Sequence, residues 1–432
     1  MSIHQLYEIL QQHPIVTDSR SCMQGDTFLA LHGESFNGNQ FAADALAAGC
    51  AYAVVDDPKY IMPTDNRYIL MPDCLQAYKE LAREHRRHFQ IPIIGITGTN
   101  GKTTTKELIS AVLSQKYTVM HTEGNLNNDV GVPRTLLRLN ANHQIAVVEM
   151  GASHPGDIRK LVEYVEPTCG LITNVGIAHI QGFGSFEGVV RTKGELYDYL
   201  RTTNNRTAFI DNDNPHLLGM AHDLNLVRYG TRPAENLTIE GQLTGNTPFM
   251  AFKWRYKGGD WHTVQTQLVG SYNIGNALAA ITIGLHFDIN EEAVCKALCS
   301  YTPNNNRSEF KDTGRNRLII DAYNANPTSM KAALESLNAI SAEHKLAILG
   351  DMRELGNESA TEHQRIADWL KQHPTIEPLL IGDNFSRTDC IFRKFSNVAE
   401  ATNYLHSNPP HDRYILLKGS NSMHLAQLIA LL

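Results

Sequence analysis

Phosphate-binding chemistry is indicated first by the segment Gly98-Thr99-Asn100-Gly101-Lys102-Thr103-Thr104. Its glycines allow a tight turn whose N–H groups point inward, and a helix that starts after the turn directs its positive end at an anion. Lys102 is placed to reach the β- and γ-phosphates of a nucleotide, and Thr103 to offer its hydroxyl to Mg²⁺. The strict P-loop pattern has glycine at position 96, where this chain has Ile96. The segment therefore predicts an ATP-binding loop on a partial match.

Three further side chains could surround a metal ion near this loop. Glu149 ends an apolar run at residues 146–149. A carboxylate at the end of a neighbouring strand can ligate Mg²⁺, which prefers oxygen. His179 lies in a loop after another apolar run, and Lys193 lies in a helix-like segment. From the residues alone, His179 also fits a purely structural histidine, which is the more common role of a lone histidine. Lys193 also fits an ordinary lysine on a helix surface. The roles of both residues therefore stay open at this point.

The elements that must position these residues alternate between strand and helix. Residues 91–97 form an apolar run that predicts a buried strand, and residues 106–113 place four apolar side chains on one helical face. Such alternation predicts a mostly parallel sheet covered by helices. Further strands are predicted at residues 145–150, 170–175 and 207–210, and a short antiparallel annex at residues 238–240, 249–254 and 263–268.

The length of 432 residues exceeds what one core usually supports and predicts two or three domains. The run Pro303-Asn304-Asn305-Asn306 favours a turn over regular structure and is the best candidate linker. We predict an α/β fold with three domains. These are a small N-terminal α/β domain at 1–88, a central P-loop mononucleotide-binding domain with a mostly parallel sheet at 89–302, and a C-terminal Rossmann-like α/β domain at 303–432.

Composition excludes several functional classes. The net charge of −7 lacks the basic excess of nucleic-acid or membrane-surface binders. No apolar stretch approaches the 18 residues of a membrane-spanning helix. Seven scattered cysteines, an odd number, do not form a disulfide framework and favour a reducing compartment. We expect a cytoplasmic protein that binds neither nucleic acid nor membranes.

Taken together, these segments resemble the Mur ligase family, which builds the peptide of the bacterial cell wall and is related to folylpolyglutamate synthetases. The resemblance rests on residues 97–103, 149–151 and 173–179 and on Lys193. Residues 321–327 and 349–356 resemble the members that add a terminal dipeptide. Residues 18–20 and 25–33 are similar to the N-terminal domain of those members. The similarity covers essentially the whole chain.

The resemblance implies an ATP-dependent ligase that activates a carboxylate as an acyl phosphate, with ATP and Mg²⁺ as cofactors. It implies catalytic roles for Lys102, Glu149, His179 and Lys193. It also implies metal binding by Thr103, Glu149, His179 and a carbamylated Lys193. Nucleotide contacts are implied at Gly98, Thr99, Asn100, Gly101, Lys102, Thr103, Thr104, Asn273, Asn276, Arg307, Asp321 and Lys418. The family usually has histidine before Asn273, where this chain has Tyr272.

The same resemblance implies UDP-N-acetylmuramoyl-tripeptide and D-alanyl-D-alanine as substrates. The first would lie against the N-terminal and central domains, and the second against the C-terminal domain, which would close on ATP. The implied substrate contacts are Asp18, Ser19, Arg20, Asn125, Asn127, Asn128, Tyr323, Asn324 and Asn326. The family's usual Asp-Gly-His at the UDP end appears here as Asn37-Gly38-Asn39. We expect a monomer.

Two alternatives remain at the level of sequence. One is a related ligase that adds a single amino acid, which residues 321–327 argue against. The other is a non-catalytic nucleotide-dependent switch, for which Glu149, His179 and Lys193 would have no purpose. No residue identifies itself as the base for the attacking amine, and Asp351 and His363 are candidates.

Overall fold

The computed structural model describes residues 1–33, 36–204, 206–304 and 306–432. Its main sheets lie within residues 15–70, 93–269 and 309–418. The predicted α/β fold class with mostly parallel sheets is confirmed. The domain division at 88/89 and 302/303 stays a prediction, and Asn305 of the proposed linker lies outside the described residues. None of the helices in the described ranges is long and apolar enough to cross a membrane.

The N-terminal region forms a parallel sheet in the order β1-β2-β5-β6 within its described residues. Helix α3 begins at the N-cap Asp73, whose side chain accepts a hydrogen bond from the Gln76 backbone. The elements in chain order are α1 (Ile3–Leu10), β1 (Ile15–Val16), β2 (Thr27–Leu29), β3 (His32–Gly33), β4 (Phe36–Asn37), α2 (Ala42–Ala47), β5 (Tyr52–Val55), β6 (Tyr68–Leu70) and α3 (Cys74–Arg87).

The central sheet has the order β15-β14-β13-β12-β11-β10-β7-β9-β8 in the described part of the chain. Its strands run parallel from β8 to β13, and β13, β14 and β15 then pair antiparallel. The elements are β7 (Ile93–Thr97), α4 (Lys102–Leu113), β8 (Val119–His121), α5 (Gly131–Leu136), β9 (Ile145–Glu149), α6 (Asp157–Val165), β10 (Cys169–Ile172), α7 (Ile180–Phe183), α8 (Phe186–Thr202), β11 (Thr207–Asp211), α9 (Pro215–Met220), β12 (Asn225–Gly230), β13 (Ile239–Asn246), β14 (Phe249–Tyr256), β15 (His262–Val269), α10 (Ile274–His286) and α11 (Glu291–Ser300).

The C-terminal sheet has the order β16-β17-β21-β18-β19-β20, and it is parallel apart from the β16–β17 pair. Its central strands are apolar along their length because both faces are covered. The elements are β16 (Glu309–Asp312), β17 (Arg317–Asp321), α12 (Pro327–Ala339), β18 (Lys345–Gly350), α13 (Ser359–Lys371), β19 (Ile376–Ile381), α14 (Asp383–Ser386), β20 (Arg393–Phe395), α15 (Val398–Ser407) and β21 (Tyr414–Lys418).

A cluster that we call the arginine–glutamate junction ties α3 to the end of α6. Arg83 and Arg87 both donate to the carboxylate of Glu166, from Nε at 2.9 and 3.0 Å. Arg86 is buried and donates to the backbone oxygens of Val165 and Glu166, both at 3.1 Å. Charge-assisted hydrogen bonds of this kind are stronger than neutral ones. The junction therefore joins the N-terminal region firmly to the central sheet.

Candidate active site

The predicted phosphate loop connects β7 to α4 at the carboxyl edge of the central sheet. Gly98 and Gly101 have φ of +141° and +77°, in the region that disfavours L side chains. Space imposes the same requirement. A Cβ on Gly98 would lie 2.0 Å from the Thr173 hydroxyl, and one on Gly101 would lie 2.6 Å from Asn276 Oδ1. Both glycines are therefore needed for the backbone to turn here.

Asn174, which follows β10, holds the loop in shape. Its Oδ1 accepts from the Asn100 backbone N–H at 2.9 Å, and its Nδ2 donates to the Asn100 carbonyl at 3.0 Å. The Asn174 carbonyl accepts from the Thr99 N–H, also at 3.0 Å. The Thr173 hydroxyl adds a bond to the Asn100 carbonyl at 2.7 Å. The loop is thus preorganised by the neighbouring strand end.

Lys102 begins α4 and lies against its own loop. Its Nζ donates to the carbonyls of Gly98 and Thr99 at 2.8 and 3.1 Å. Burial lowers the pKa of Lys102, while the nearby carboxylate of Glu149 raises it. The ammonium therefore lies at the loop where the sequence predicts nucleotide phosphates.

Glu149, at the end of β9, has the features of a cation ligand. The residue is buried, and its Oε1 accepts from the Thr103 hydroxyl at 3.1 Å and from Asn127 Nδ2 at 2.8 Å. Its Oε2 is buried with no hydrogen-bond partner among the residues that the structure describes. A buried carboxylate oxygen without a partner is unfavourable unless a cation or donor joins it. The donor set of Glu149 and the Thr103 hydroxyl therefore fits Mg²⁺.

His179 and Lys193 lie close to the same place. Burial lowers the pKa of His179, with Lys102 and Lys193 lowering it further and the carboxylate of Glu354 raising it. Burial also lowers the pKa of Lys193 well below its ordinary value, and the nearby Lys102 adds to this effect. The Lys193 Nζ lies 5.3 Å from the centre of the Phe183 ring. The inward-facing position of Lys193 differs from that of a helix-surface lysine.

A second group of polar residues, for which the sequence predicts nucleotide contacts, lies at the start of α10. Asn276 accepts from the Thr105 hydroxyl at 3.0 Å and donates to Asn273 Oδ1 at 2.9 Å. Asn273 donates to the Val269 carbonyl at 2.9 Å. Tyr272 forms a hydrogen bond at 3.0 Å with the hydroxyl of Ser308, which lies beyond the predicted linker.

The C-terminal region faces the loop with charged and polar side chains. Lys418 donates to Asp321 Oδ2 at 2.6 Å and to the Asn324 carbonyl at 3.1 Å. The Arg307 guanidinium lies 3.8 Å above the Tyr323 ring, which is cation–π geometry. Asn326 caps α12 by accepting from the Ser329 N–H at 2.9 Å. Asp321 and Lys418 are the last residues of β17 and β21, and the other residues lie in loops at the same edge of the C-terminal sheet.

A cavity of about 900 Å³ lies where the three regions meet. Gly98, Thr103 and Lys193 do not line it, and Thr103 and Lys193 are buried. The predicted site residues that line the cavity are Thr99, Asn100, Gly101, Lys102, Thr104, Asn127, Asn128, Glu149, His179, Asn273, Asn276, Arg307, Asp321, Tyr323, Asn324, Asn326 and Lys418.

Four predicted substrate contacts lie away from this cavity. Asp18 and Arg20 are exposed and pair with each other, the Arg20 Nη2 lying 2.7 Å from Asp18 Oδ2, with Ser19 between them. Asn125 is exposed on the loop before α5. Their roles stay predictions, and the cavity gives them no support.

The two candidate bases also lie elsewhere. Asp351 is fully buried and accepts from the backbone N–H groups of Asn384 and Phe385, each at 3.0 Å. His363 is buried too, with Nε2 accepting from the Met352 N–H at 3.0 Å and Nδ1 lying 2.7 Å from the Ser359 carbonyl. Both side chains stabilise the C-terminal region internally and do not line the cavity.

Several cavity residues were missed by sequence reasoning. Lys79, Asp129, Lys160 and Tyr164 line the side next to the N-terminal region. Glu354, from the C-terminal region, also lines the cavity. Asn174 had a usable signal, because it lies near the end of the strand predicted at residues 170–175, but the others are ordinary surface residues in the sequence.

Sequence models of one family match the chain in three consecutive parts. They are described as Mur ligase family, catalytic domain (residues 11–86), Mur ligase middle domain (96–284), and Mur ligase, glutamate ligase domain (306–421). The chain belongs to the Mur ligase family.

Individual members of the family can be compared with this chain by their sequence identity and by their structure. A UDP-N-acetylmuramoyl-tripeptide–D-alanyl-D-alanine ligase from Synechocystis sp. is 35% identical, with 100% of this chain and 94% of that protein covered. The protein of the same name from Bacillus subtilis is 36% identical over 83% of this chain and 77% of its own length. A crystal structure of MurF from Acinetobacter baumannii has a TM-score of 0.88 at 30% identity and covers 99% of this chain and 98% of that one. The resemblance noted from the sequence is confirmed.

Proposed function

We propose that this chain is an ATP-dependent ligase that joins D-alanyl-D-alanine to UDP-N-acetylmuramoyl-tripeptide, forming the pentapeptide precursor of peptidoglycan. The observation that carries the proposal is one cavity to which all three regions contribute, with Lys79, Lys102 and Asn324 among its lining residues. A reaction of three substrates needs such a meeting point, because catalysis depends on holding the reacting atoms together. The printed names of the relatives supply the identity of the substrates.

The first step in this proposal activates the tripeptide. Its terminal carboxylate attacks the γ-phosphorus of ATP, the bond to ADP breaks, and an acyl phosphate forms. Lys102 and the loop N–H groups stabilise the charge on the transferring phosphoryl group. Mg²⁺, which Thr103, Glu149 and His179 would hold, supplies further charge neutralisation when bound.

The second step forms the amide. The neutral amine of D-alanyl-D-alanine attacks the acyl phosphate carbon, and the tetrahedral intermediate breaks its C–O bond to release inorganic phosphate. The proton that the amine nitrogen loses leaves with the phosphate. Tyr323, Asn324 and Asn326 are proposed to hold the dipeptide because they line the C-terminal side of the cavity. Arg307 is proposed to contact ATP from the same side. Closure of this side excludes water, which would otherwise hydrolyse the acyl phosphate.

Lys193 is proposed to be carbamylated. A lysine can add CO₂ only as the neutral amine, and burial lowers the pKa of Lys193 well below its ordinary value. The neutral amine nitrogen forms a new N–C bond to CO₂ with release of one proton, so the uncharged side chain becomes an anionic carbamate. An anionic group fits a site beside a metal, where an ammonium would repel it.

A cytoplasmic location and a monomeric state belong to the same proposal. The seven cysteines are all free thiols, which agrees with a reducing compartment.

The deciding experiment incubates the protein with ATP, Mg²⁺, D-alanyl-D-alanine and UDP-N-acetylmuramoyl-tripeptides that end in different third residues. Mass spectrometry should detect the pentapeptide product, with ADP released in equal amount. Single amino acids and glutamate serve as competing acceptors. Preference for one of them would replace this proposal with the related ligase, and ATP binding without substrate-stimulated ADP release would favour the nucleotide switch.

A further inference from the structure

Glu354 and His179 meet across the boundary between the central and C-terminal regions. The Glu354 carboxylate, in the loop after β18, contacts Nδ1 of His179, which lies directly before α7. Both residues line the cavity. Next to this contact, a Cβ on Gly356 would lie 3.5 Å from the Gln181 side chain, so the two loops pack along more than one residue.

The backbone of both residues is unusual in the same way. His179 has φ of +50° and Glu354 has φ of +63°, in the left-handed region that non-glycine residues seldom adopt. Such residues persist only where the surrounding structure holds them, and they cluster at functional sites. Two of them in contact indicate that the surrounding structure fixes this pairing.

The pairing has a specific chemical consequence for the imidazole. The Glu354 carboxylate lies against Nδ1 as an ionic contact without hydrogen-bond geometry. A negative charge beside Nδ1 favours the tautomer with hydrogen on Nδ1, so the lone pair of Nε2 is free to bind a cation. Metal-binding histidines are commonly oriented by an acidic residue in this way. Here the orienting carboxylate comes from a different region of the chain than the histidine.

We propose that Glu354 is a positioning residue that orients His179 for a divalent cation only when the C-terminal region is closed against the central one. The assignment rests on the proposed function for its biological meaning. Because binding effects are reciprocal, a cation bound at His179 also favours closure. The cation site and the closed arrangement therefore stabilise each other.

The competing explanation is an ordinary surface ion pair. Exposed pairs contribute little to stability and do not alter the cation affinity of a neighbouring site. The Glu354 side chain is 59% exposed, so its truncation should leave the fold intact. The two explanations differ in their effect on cation affinity.

The test measures Mn²⁺ binding by electron paramagnetic resonance, in the presence of ADP, for the wild type, Glu354→Ala and Glu354→Gln. We expect Mn²⁺ affinity to fall about 10-fold or more in Glu354→Ala, with a smaller loss in Glu354→Gln. We also expect kcat to fall while the KM for ATP stays within about twofold. Glu358→Ala, an exposed glutamate on the same loop, is the matched control and should behave as wild type.

Unchanged Mn²⁺ affinity in both Glu354 variants, or no Mn²⁺ binding by the wild type, would overturn the assignment. Wild-type turnover is measured separately with the full set of substrates. A wild type that binds Mn²⁺ but forms no product would reject the proposed function and leave the positioning role to be judged by the affinities alone.

Discussion

The Asn326 side-chain amide donates to Asn100 Oδ1 at 2.7 Å. This bond links the N-cap of α12 to the phosphate loop, so the element proposed to hold the dipeptide contacts the element proposed to hold ATP. The backbone of Asn100 is held by hydrogen bonds to the Asn174 side chain. The C-terminal region therefore contacts the phosphate loop directly, through the side chain of Asn100.

Breaking this bond should impair closure without unfolding α12. Asn326→Ser keeps a good N-cap but is too short to reach Asn100. The lost hydrogen bond is worth about 1 kcal/mol, so we expect kcat/KM for D-alanyl-D-alanine to fall about fivefold. Asn100→Ala should have a similar effect, and the double variant should be no worse than either single one. Fully additive losses in steady-state kinetics would show that the two residues act independently.

Replacing Lys102 should abolish turnover and leave the protein folded. Its ammonium lies against the loop, and removal of one group that stabilises a transition state commonly lowers kcat by about 10²–10³-fold. We expect Lys102→Ala to lose at least about 100-fold in ADP release, with an unchanged circular dichroism spectrum. Lys116→Ala, a half-exposed lysine just after the same helix, should keep wild-type activity. Near-normal turnover in Lys102→Ala would remove the phosphate-loop assignment.

Lys193 offers a test of the carbamate. Lys193→Ala should lose activity by about 100-fold, and millimolar acetate or formate should restore part of it, because a free carboxylate can take the place of the missing anion. Arg191→Ala, exposed on the same helix, serves as control. A Lys193→Ala variant with full activity, or one that no carboxylate rescues, would contradict the proposed modification.

Asp211 predicts a pH effect on stability. Burial raises the pKa of Asp211 from its ordinary value of 3.8 to about 6, against a smaller lowering by the hydrogen bond from the Asp213 backbone. The folded state therefore holds a proton that the unfolded state releases. Its stabilising contribution is present below about pH 4 and is lost as pH rises through 6.

The variant Asp211→Asn cannot ionise and keeps the acceptor for the Asp213 N–H. By calorimetry we expect it to be more stable than wild type by about 1–3 kcal/mol at pH 8, with little difference at pH 4. Asp223→Asn, an exposed residue nearby, should show no such pH dependence. Equal stability of Asp211→Asn and wild type at both pH values would show that Asp211 is not perturbed.

The part of the site that lies in one stretch of chain could be predicted from the sequence. The strand expected at residues 91–97 is observed as Ile93–Thr97, and the phosphate loop follows it. The helix expected from residue 106 begins one turn earlier, at Lys102. The apolar pattern did not include this first turn, because its buried side chains are polar threonines. Local pattern is a strong guide where one element directly precedes another.

The predicted annex is extended by the structure. Its strands are longer than expected, at Ile239–Asn246, Phe249–Tyr256 and His262–Val269, and they continue the central sheet through β12. The strands were predicted too short because polar residues alternate with apolar ones at their exposed ends, where the apolar run stops. Strand β12 was not predicted, because its side chains are mostly half-buried.

Contacts between distant parts of the chain could not be predicted from the sequence. Asn100 with Asn326, and His179 with Glu354, join polar residues from different sheets. Nothing in residue type or spacing gives the distance between such residues before the regions are placed. The same reason explains why Lys79 and Lys160 were missed as cavity residues.

Under the proposed function, the arginine–glutamate junction has a consequence for the length of the peptide substrate. Arg83, Arg86 and Arg87 attach α3 to the end of α6, and so they hold the N-terminal region against the central one. An extended peptide grows by about 3.5 Å with each residue. If the N-terminal region holds the sugar end, a peptide one residue shorter would leave its carboxylate short of the phosphate loop, and a longer one would overshoot it.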